Sequence, residues 1–245
     1  MDDQQRRQLD EQGYLIFKNV LSPMEIETIL ARLEELWATE GDHAGEENYI
    51  ETGVRRLANL ANKGNVFREL YAHPQVLEVI EAVIGPEVRA SMVNARDVPP
   101  QTGVRMPFHM DSDKGRVRDE KGYAAATAIW MLDEFSTANG ATAFVPGSHL
   151  LGKAPREVLP DSKVFRPEEI VIEGQPGDVL FFNRHCWHAG RPNETEGHRR
   201  AVLVHYLRAD VPRLENRRQH LGPDQAAALS PFERVLLGLD DKSIL

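Results

Sequence analysis

The stretch PGDVLFFNRHCWHAGRPNETEGHRRAV, residues 176–202, carries the densest local pattern in the chain. A Gly-Asp turn leads into the apolar run DVLFF, which is followed by two histidines, a polar turn and a second apolar run. Short runs of β-branched and aromatic residues bounded by Gly and Pro are typical of β-strands. The stretch therefore predicts two strands, with His185 and His188 on the segment that joins them and Arg199 at the start of the second strand.

The same pattern of short strands and turns extends from about residue 87 to residue 210. Short apolar segments alternate there with turn signals such as TANG, PGSH and GQPGD. Strands are predicted at 88–98, 124–132, 141–146, 168–173, 178–183 and 199–207. Several short strands at close spacing, with helices gathered elsewhere in the sequence, indicate an antiparallel sandwich or barrel flanked by helices.

The first third of the chain reads as helical. Ser22 is a predicted N-cap, Pro23 is the first helical residue, and Glu25 completes a capping box. A second helix is predicted to begin at Pro74 and to stop before Gly85.

The organisation predicted for residues 1–245 is a single domain. It comprises a helical part at about 1–86, a β core at about 87–210, and a tail at 211–245 with a last helix near 223–238.

The charge and the residue composition of the chain exclude some classes of function. The net charge of −9 lacks the basic footprint of a duplex-binding domain, so nucleic acid is not the expected partner. The charged N-terminus does not read as a signal peptide, and no apolar run has the length of a membrane span. Cys186 is the only cysteine, which fits a reducing, cytoplasmic location. The sequence specifies no oligomeric state.

A second stretch, PFHMDSD at residues 107–113, holds a His-x-Asp pair. In an extended segment, His109 and Asp111 point to the same side and could face one metal ion. Chance produces roughly one or two such pairs in this composition, so the pair needs a third ligand. Two histidines and one carboxylate on one face of a metal leave three positions open, as in non-haem iron(II) oxygenases. Strand alternation fails past Arg184, so the pattern alone does not choose between His185 and His188.

Four motifs in the same order resemble the phytanoyl-CoA dioxygenase family across about residues 10–210. They are GYLIFKNVLSPMEIETI, MPFHMDSD, WMLDEFSTANGATAFVPGSH, and the stretch at 176–202. The family pattern combines His-x-Asp, Asn-Gly-Ala-Thr, Pro-Gly-Ser-His, and His-x-Gly-x-x-Asn with an Arg eleven residues after that His. The resemblance implies a mostly β fold with flanking helices, a double-stranded β-helix of the jelly-roll, cupin-like type.

The resemblance also implies iron(II) as metal, 2-oxoglutarate as co-substrate and O₂ as oxidant. Its spacing assigns His109, Asp111 and His188 to the metal and Arg199 to the far carboxylate of 2-oxoglutarate. A planar guanidinium suits a carboxylate, and an unpaired Arg199 at the start of an apolar strand would be costly.

Two further co-substrate contacts follow from the resemblance. Thr142 is expected to contribute a hydroxyl to 2-oxoglutarate, and Arg56 resembles a further co-substrate-binding arginine of some relatives.

The expected activity is hydroxylation of an unactivated C–H bond of a small organic molecule, with release of succinate and CO₂. One alternative keeps the same metal centre but ends in desaturation or rearrangement in natural-product metabolism. Another is a barrel that binds a metal or ligand without catalysis. The carboxylate of Asp111 disfavours halogenation, because halogenating relatives have a small residue at that position.

Several neighbouring residues have simpler expected roles. His185, His149 and Asn193 are expected to stabilise turns, Cys186 to be inert, and Arg200 to be a solvated surface residue, because neighbours on a strand face opposite sides.

Other residues were open to two interpretations. Asn94 and Arg96 are ordinarily surface residues but could line the pocket, and Trp130 is by default a core aromatic. The loop at 112–122 is either a solvated loop or a lid.

Overall fold

The computed structural model describes residues 1–48, 50–111, 118–164, 166–211 and 221–240. Antiparallel β-strands form its centre and helices pack outside them. The strands are β1 (Tyr14–Phe17), β2 (Arg55–Leu57), β3 (Val88–Val98), β4 (Arg118–Asp119), β5 (Gly122–Tyr123), β6 (Ala125–Met131), β7 (Ala143–Val145), β8 (Ile170–Val171), β9 (Val179–Asn183), β10 (Trp187–Ala189) and β11 (Arg199–Arg208). The α-helices are α1 (Asp3–Gln12), α2 (Pro23–Glu40), α3 (Arg68–Tyr71), α4 (Pro74–Ile84), α5 (Pro155–Val158), α6 (Pro223–Ala227) and α7 (Pro231–Leu236).

Two sheets face each other. The major sheet has six strands in the order β1-β9-β6-β11-β3-β2, and the minor sheet has the order β10-β7-β8. A single bridge between His109 and His188 adds the segment around His109 to the β10 edge of the minor sheet. The predicted mostly β, jelly-roll fold with flanking helices is confirmed, as an open pair of sheets. Among the described strands, no continuous ladder closes the pair into a barrel.

The two faces of the major sheet have different neighbours. Residues paired across antiparallel strands share a face, so the strand registers identify each side. The outer face packs Val93, Val202, Trp130 and Phe181 into a core with α2 and α4. The inner face is turned toward the minor sheet. Its members are Arg56 on β2, Met92, Asn94, Arg96 and Val98 on β3, Thr127, Ile129 and Met131 on β6, Leu180 and Phe182 on β9, and Arg199, Ala201, Leu203 and His205 on β11.

The two predicted helices of the first third are confirmed, but that part of the chain is not purely helical. β1 pairs with β9 and β2 pairs with β3, so each supplies one edge of the major sheet. The apolar pattern does not predict β2, because this strand is three residues long and two of its residues, Arg55 and Arg56, are charged. The sheet therefore begins within the region predicted to be helical.

The single helix predicted near 223–238 is wrong in detail. Two short helices, α6 and α7, occupy that region. Pro231 lacks the N–H that a continuous helix needs, and Ser230 with Glu233 forms a new capping box that starts α7. The predicted lid at 112–122 lies largely outside the described residues. Within the described ranges, no helix is long and apolar enough to cross a membrane.

The Asn-Gly-Ala-Thr motif has a steric basis at Gly140, where φ is +81°. A Cβ there would lie 2.6 Å from the carbonyl oxygen of Arg191 and 2.8 Å from that of Pro192, on the loop that follows His188. We expect Gly140→Ala to lower the free energy of unfolding by about 3 kcal/mol, because a left-handed backbone and a backbone clash both oppose the methyl group. Denaturant titration measures this change.

Gly152→Ala is the matched control, because Gly152 has a φ of +62° and open space around its Cβ position. Its expected cost is about 1 kcal/mol, from the backbone alone. Equal losses in the two variants would contradict the proposed contact between the motif and the His188 loop.

Candidate metal centre

The structure brings His109, Asp111 and His188 together, with one potential ligand atom from each within 4.8 Å of the others. Backbone hydrogen bonds align the two segments that carry these residues. His109 N donates to His188 O at 3.0 Å, and His188 N donates to His109 O at 3.0 Å. Asp111 Oδ1 then lies 3.8 Å from Nε2 of His109 and 3.6 Å from Nε2 of His188. The spacing of these three atoms suits a single ion between them.

The orientation of both imidazole rings is set by backbone carbonyls. His109 Nδ1 lies 3.0 Å from Pro107 O, and His188 Nδ1 lies 3.0 Å from Cys186 O. A carbonyl oxygen only accepts, so Nδ1 carries the proton in each neutral ring and Nε2 keeps its lone pair. Both Nε2 atoms are therefore prepared as metal ligands, in the arrangement that commonly orients ligating histidines.

Charge also favours a cation at this centre. Burial alone would raise the pKa of Asp111, but the nearby charges of His188 and Arg184 lower that pKa well below its usual value. Burial lowers the pKa of His188, and the carboxylate of Asp111 more than offsets this, so the pKa of His188 is raised. Asp111 is thus held as an anion that attracts a proton to His188. A divalent metal ion fits the site in place of that proton.

The other oxygen of Asp111 faces away from the two Nε2 atoms. Its Oδ2 lies 3.5 Å from Arg184 Nε and 3.9 Å from His205 Nδ1. Neither residue is assigned to the metal by the sequence. His205 lies on the inner face of β11, on the same side as Arg199, and Arg184 is the first residue after strand β9.

Arg199 lies on the inner face and is 3% exposed. Its guanidinium carbon stands 4.7 Å from the centre of the Phe135 ring. In the described part of the chain, no carboxylate lies within ion-pair distance of it, and its Nε is buried without an acceptor. Burial, and then the neighbouring charge of Arg96, lower the pKa of Arg199 to about 9. The site is therefore built for an anion, because an isolated buried cation is costly.

Arg56 and Arg96 face each other across β2 and β3 and share one carboxylate. Arg96 Nη2 lies 2.5 Å from Glu51 Oε1, and Arg56 Nε lies 2.9 Å from Glu51 Oε2. Burial alone would raise the pKa of Glu51, but the two guanidinium groups lower it to about 2. Arg56 is thus on the inner face, as a co-substrate contact requires, but it is bonded to Glu51. Its role toward 2-oxoglutarate stays a prediction.

Thr142 lies immediately before β7 and is half-buried. Its carbonyl oxygen accepts a hydrogen bond from Ile172 N at 3.0 Å, which joins β7 to β8. This places it on the minor sheet, in the same hydrogen-bonded layer as His188 on β10. The proposed contact of its hydroxyl with 2-oxoglutarate stays a prediction.

The simpler expectations are mostly confirmed for residues near the site. His185 is fully buried and its Nδ1 lies 2.7 Å from Asn183 Oδ1. Cys186 is buried, which raises the pKa of its thiol far above the usual value. Asn193 Nδ2 donates to Val98 O at 3.0 Å, across the turn after His188. His149 Nε2 lies 3.1 Å from Asp10 O and so ties the Pro-Gly-Ser-His turn to α1. These residues support the backbone around the metal centre.

The assignment of Arg200 changes, and the open assignments of Asn94, Arg96 and Trp130 are decided. Arg200 faces the outer side as expected, but it is not solvated, since its Nε donates to Asp133 Oδ2 at 2.8 Å. Asn94 and Arg96 are inner-face residues rather than surface residues. Trp130 is a core aromatic as expected; it packs against His73 on the outer face and so points away from the metal centre.

Comparisons with known proteins agree with this geometry. The dioxygenase af480 of Aspergillus fumigatus is 28% identical over 246 residues, covering 98% of this chain and 77% of that protein. The peroxisomal phytanoyl-CoA dioxygenase of Rattus norvegicus is 24% identical, covering 84% of this chain and 68% of that protein.

Among solved structures, the non-haem alpha-ketoglutarate-dependent carbocyclase SnoK from nogalamycin biosynthesis has the same fold. Its TM-score is 0.69 at 23% identity, and the match covers 86% of this chain and 85% of that one.

The family model described as phytanoyl-CoA dioxygenase matches residues 9–201. This range includes the four motifs up to Ala201 and every strand of both sheets except β11, of which it includes only Arg199–Ala201. The predicted class, an iron(II)- and 2-oxoglutarate-dependent dioxygenase that acts on small molecules, is confirmed by this match. The chain belongs to the phytanoyl-CoA dioxygenase family.

Proposed function

We propose that this chain hydroxylates an unactivated C–H bond of a small organic molecule, with release of succinate and CO₂. His109, Asp111 and His188 would hold iron(II), and Arg199 would hold the far carboxylate of 2-oxoglutarate. The observation that carries the proposal is the combination of two Nε2 atoms and one carboxylate oxygen at the edge of the minor sheet with a buried, unpaired arginine on the inner face of the major sheet.

The metal ligands and Arg199 have different roles in the proposed reaction. When bound, iron(II) and 2-oxoglutarate supply the oxidising chemistry, in which O₂ is reduced and 2-oxoglutarate loses CO₂ to become succinate. His109, Asp111 and His188 would occupy one side of a bound ion and would leave the other side for co-substrate and O₂. Arg199 orients 2-oxoglutarate by pairing with its far carboxylate, and the apolar residues around it, Phe135 and Ala201, exclude water from that pair.

The identity of Asp111 limits the chemistry further. A carboxylate at this position occupies the coordination site that halogenating relatives leave to a halide. Hydroxylation is therefore favoured over halogenation. Desaturation or rearrangement uses the same centre and is distinguished by its product. A non-catalytic barrel is disfavoured, because it has no use for an unpaired buried arginine on the inner face of the major sheet. A cytoplasmic location is also part of the proposal, supported by the buried thiol of Cys186.

The metal assignment is tested by titrating the protein with Fe(II) and 2-oxoglutarate under anaerobic conditions. We expect a visible charge-transfer band, since 2-oxoglutarate chelates the ion, and we expect its loss in His109→Ala and Asp111→Ala. His149→Ala is the control, because that histidine contacts α1 rather than the triad. A folded wild-type protein without the band would overturn the proposal.

The co-substrate assignment is tested with Arg199→Met. Losing a buried charge-assisted pair costs at least about 2 kcal/mol, so the 2-oxoglutarate concentration needed for half-maximal band intensity should rise about thirtyfold or more, with iron still bound. The same change should raise the unfolding temperature of the metal-free protein, because it removes an unpaired buried cation.

Arg200→Met is the matched control, since Arg200 lies on the outer face and pairs with Asp133. It should leave the 2-oxoglutarate requirement unchanged. An unchanged requirement in Arg199→Met would show that another inner-face arginine, such as Arg56, carries the role.

The reaction type is tested by measuring succinate release from the wild-type protein across a diverse library of small metabolites. For a hit, the product mass decides the outcome. Gain of one oxygen atom is expected, whereas loss of two hydrogen atoms or an unchanged mass would identify desaturation or rearrangement instead.

A further inference from the structure

We propose that Arg184 and His205 are positioning residues that together hold the Oδ2 atom of Asp111, so that this carboxylate binds the metal through Oδ1 alone. This inference rests on the proposed metal site and adds to it. It assigns a purpose to two buried charged or polar groups that the metal site itself does not use.

The two oxygens of Asp111 have separate surroundings. Oδ1 faces the metal side, 3.6 Å from His188 Nε2 and 3.8 Å from His109 Nε2. Oδ2 faces Arg184 Nε at 3.5 Å and His205 Nδ1 at 3.9 Å. A carboxylate oxygen that lies beside fixed cationic or N–H groups loses much of its freedom to rotate about the Cβ–Cγ bond. The arrangement therefore distinguishes one oxygen from the other before any metal arrives.

Arg184 is linked to Asp111 through the main chain as well as the side chain. Asp111 N donates to Arg184 O at 3.1 Å, and Arg184 Nη2 donates to Asp111 O at 3.2 Å. The arginine side chain is 6% exposed, against 20% for the Asp111 side chain. The guanidinium is thus buried behind the carboxylate. Because its backbone is joined to that of Asp111, Arg184 moves with the ligand that it holds.

His205 approaches from the opposite sheet. It lies on the inner face of β11, directly across from Thr127 on β6, and its Nδ1 lies 3.1 Å from Thr127 Oγ1. Thr127 and His205 are both buried, at 0% and 7% exposure, so this contact fixes the plane of the ring. The major sheet therefore places His205 Nδ1 near Asp111 Oδ2, at an electrostatic rather than a hydrogen-bonding distance of 3.9 Å, while Arg184 approaches from the turn after β9. Holding the carboxylate from both sides restricts its rotation more than either group does alone.

The consequence concerns the number of free positions on the ion. With one oxygen from Asp111 and one nitrogen from each histidine, an octahedral ion keeps three open positions, which a chelating 2-oxoglutarate and O₂ need together. If both carboxylate oxygens bound the ion, one of these positions would be lost. Holding Oδ2 away from the metal thus preserves the co-substrate site without either residue touching the co-substrate.

The test uses the full-length chain with Arg184→Met, with His205→Leu, and with both changes, each under anaerobic conditions. The first readout is the 2-oxoglutarate concentration that gives half-maximal charge-transfer intensity at saturating Fe(II). The second is a crystal structure of the Ni(II)-loaded protein, which shows how many oxygens of Asp111 bind the ion. Arg200→Met and His149→Leu are the matched controls for loss of a half-buried arginine and a buried histidine away from the site.

We expect the double variant to need at least about tenfold more 2-oxoglutarate for half-maximal intensity. Removing a group that hydrogen-bonds or pairs with a metal ligand typically has an effect of this size. In it Asp111 should bind Ni(II) through both oxygens, whereas the wild-type and control proteins should show one. Arg184→Lys and His205→Asn, which keep a cation and an N–H donor, should restore most of the affinity, and they serve as the test if the apolar variants do not fold.

A double variant with wild-type affinity for 2-oxoglutarate and a singly bound Asp111 would overturn this inference while leaving the metal site intact. By contrast, a wild-type protein that binds neither Fe(II) nor Ni(II) would overturn the proposed function itself. The two failures are therefore distinguishable.

Discussion

Two backbone hydrogen bonds between His109 and His188 hold the functional centre together. They join segments that are far apart in sequence, and they place two imidazole rings and one carboxylate on the same side of the minor sheet. A metal centre needs ligand atoms at fixed separations, and flexible side chains alone do not provide them. Here the β10 edge supplies the rigidity, and the carbonyls of Pro107 and Cys186 turn each ring so that Nε2 faces its neighbours.

The interior between the sheets is apolar in part and strongly charged in part. Phe144, Phe182 and Met131 form a small core there. Arg199 is buried at its edge without a carboxylate among the described residues, whereas Arg56 and Arg96 share Glu51 close by. An unpaired buried cation lowers stability, so a protein optimised for stability alone would have an apolar residue at this position. An anion bound beside Arg199, as proposed for 2-oxoglutarate, would offset this cost.

Much of the fold could be predicted because periodicity reports burial. The run at 88–98 has β-branched and small residues that alternate with polar ones, and β3 has those same bounds. Periodicity does not predict strands that are very short or that contain charged residues. β1 and β2 have four and three residues, and they are strands because β9 and β3 offer them unpaired edges. Such pairing is a property of the neighbour and leaves little trace in the strand itself.

The last predicted helix shows a different limit. Its apolar pattern continues across residues 223–238, and the pattern alone does not reveal the break. The break comes from local chemistry at Ser230 and Pro231, where a capping box competes with continuation of the helix. The break between the two helices is predictable from those two residues, since the capping signal is present in the sequence.

The sequence by itself determined the residue types, their order and their spacing: a His-x-Asp pair, a later histidine and an arginine eleven residues beyond it. Those features suffice for the family and for the class of chemistry. Only the tertiary structure decided that Asn94 and Arg96 face inward, that Arg56 bonds to Glu51, and that the two oxygens of Asp111 have different neighbours. The reason is geometric. Spacing along a chain specifies directions only within a regular element, whereas contacts across turns and between sheets depend on how the elements pack.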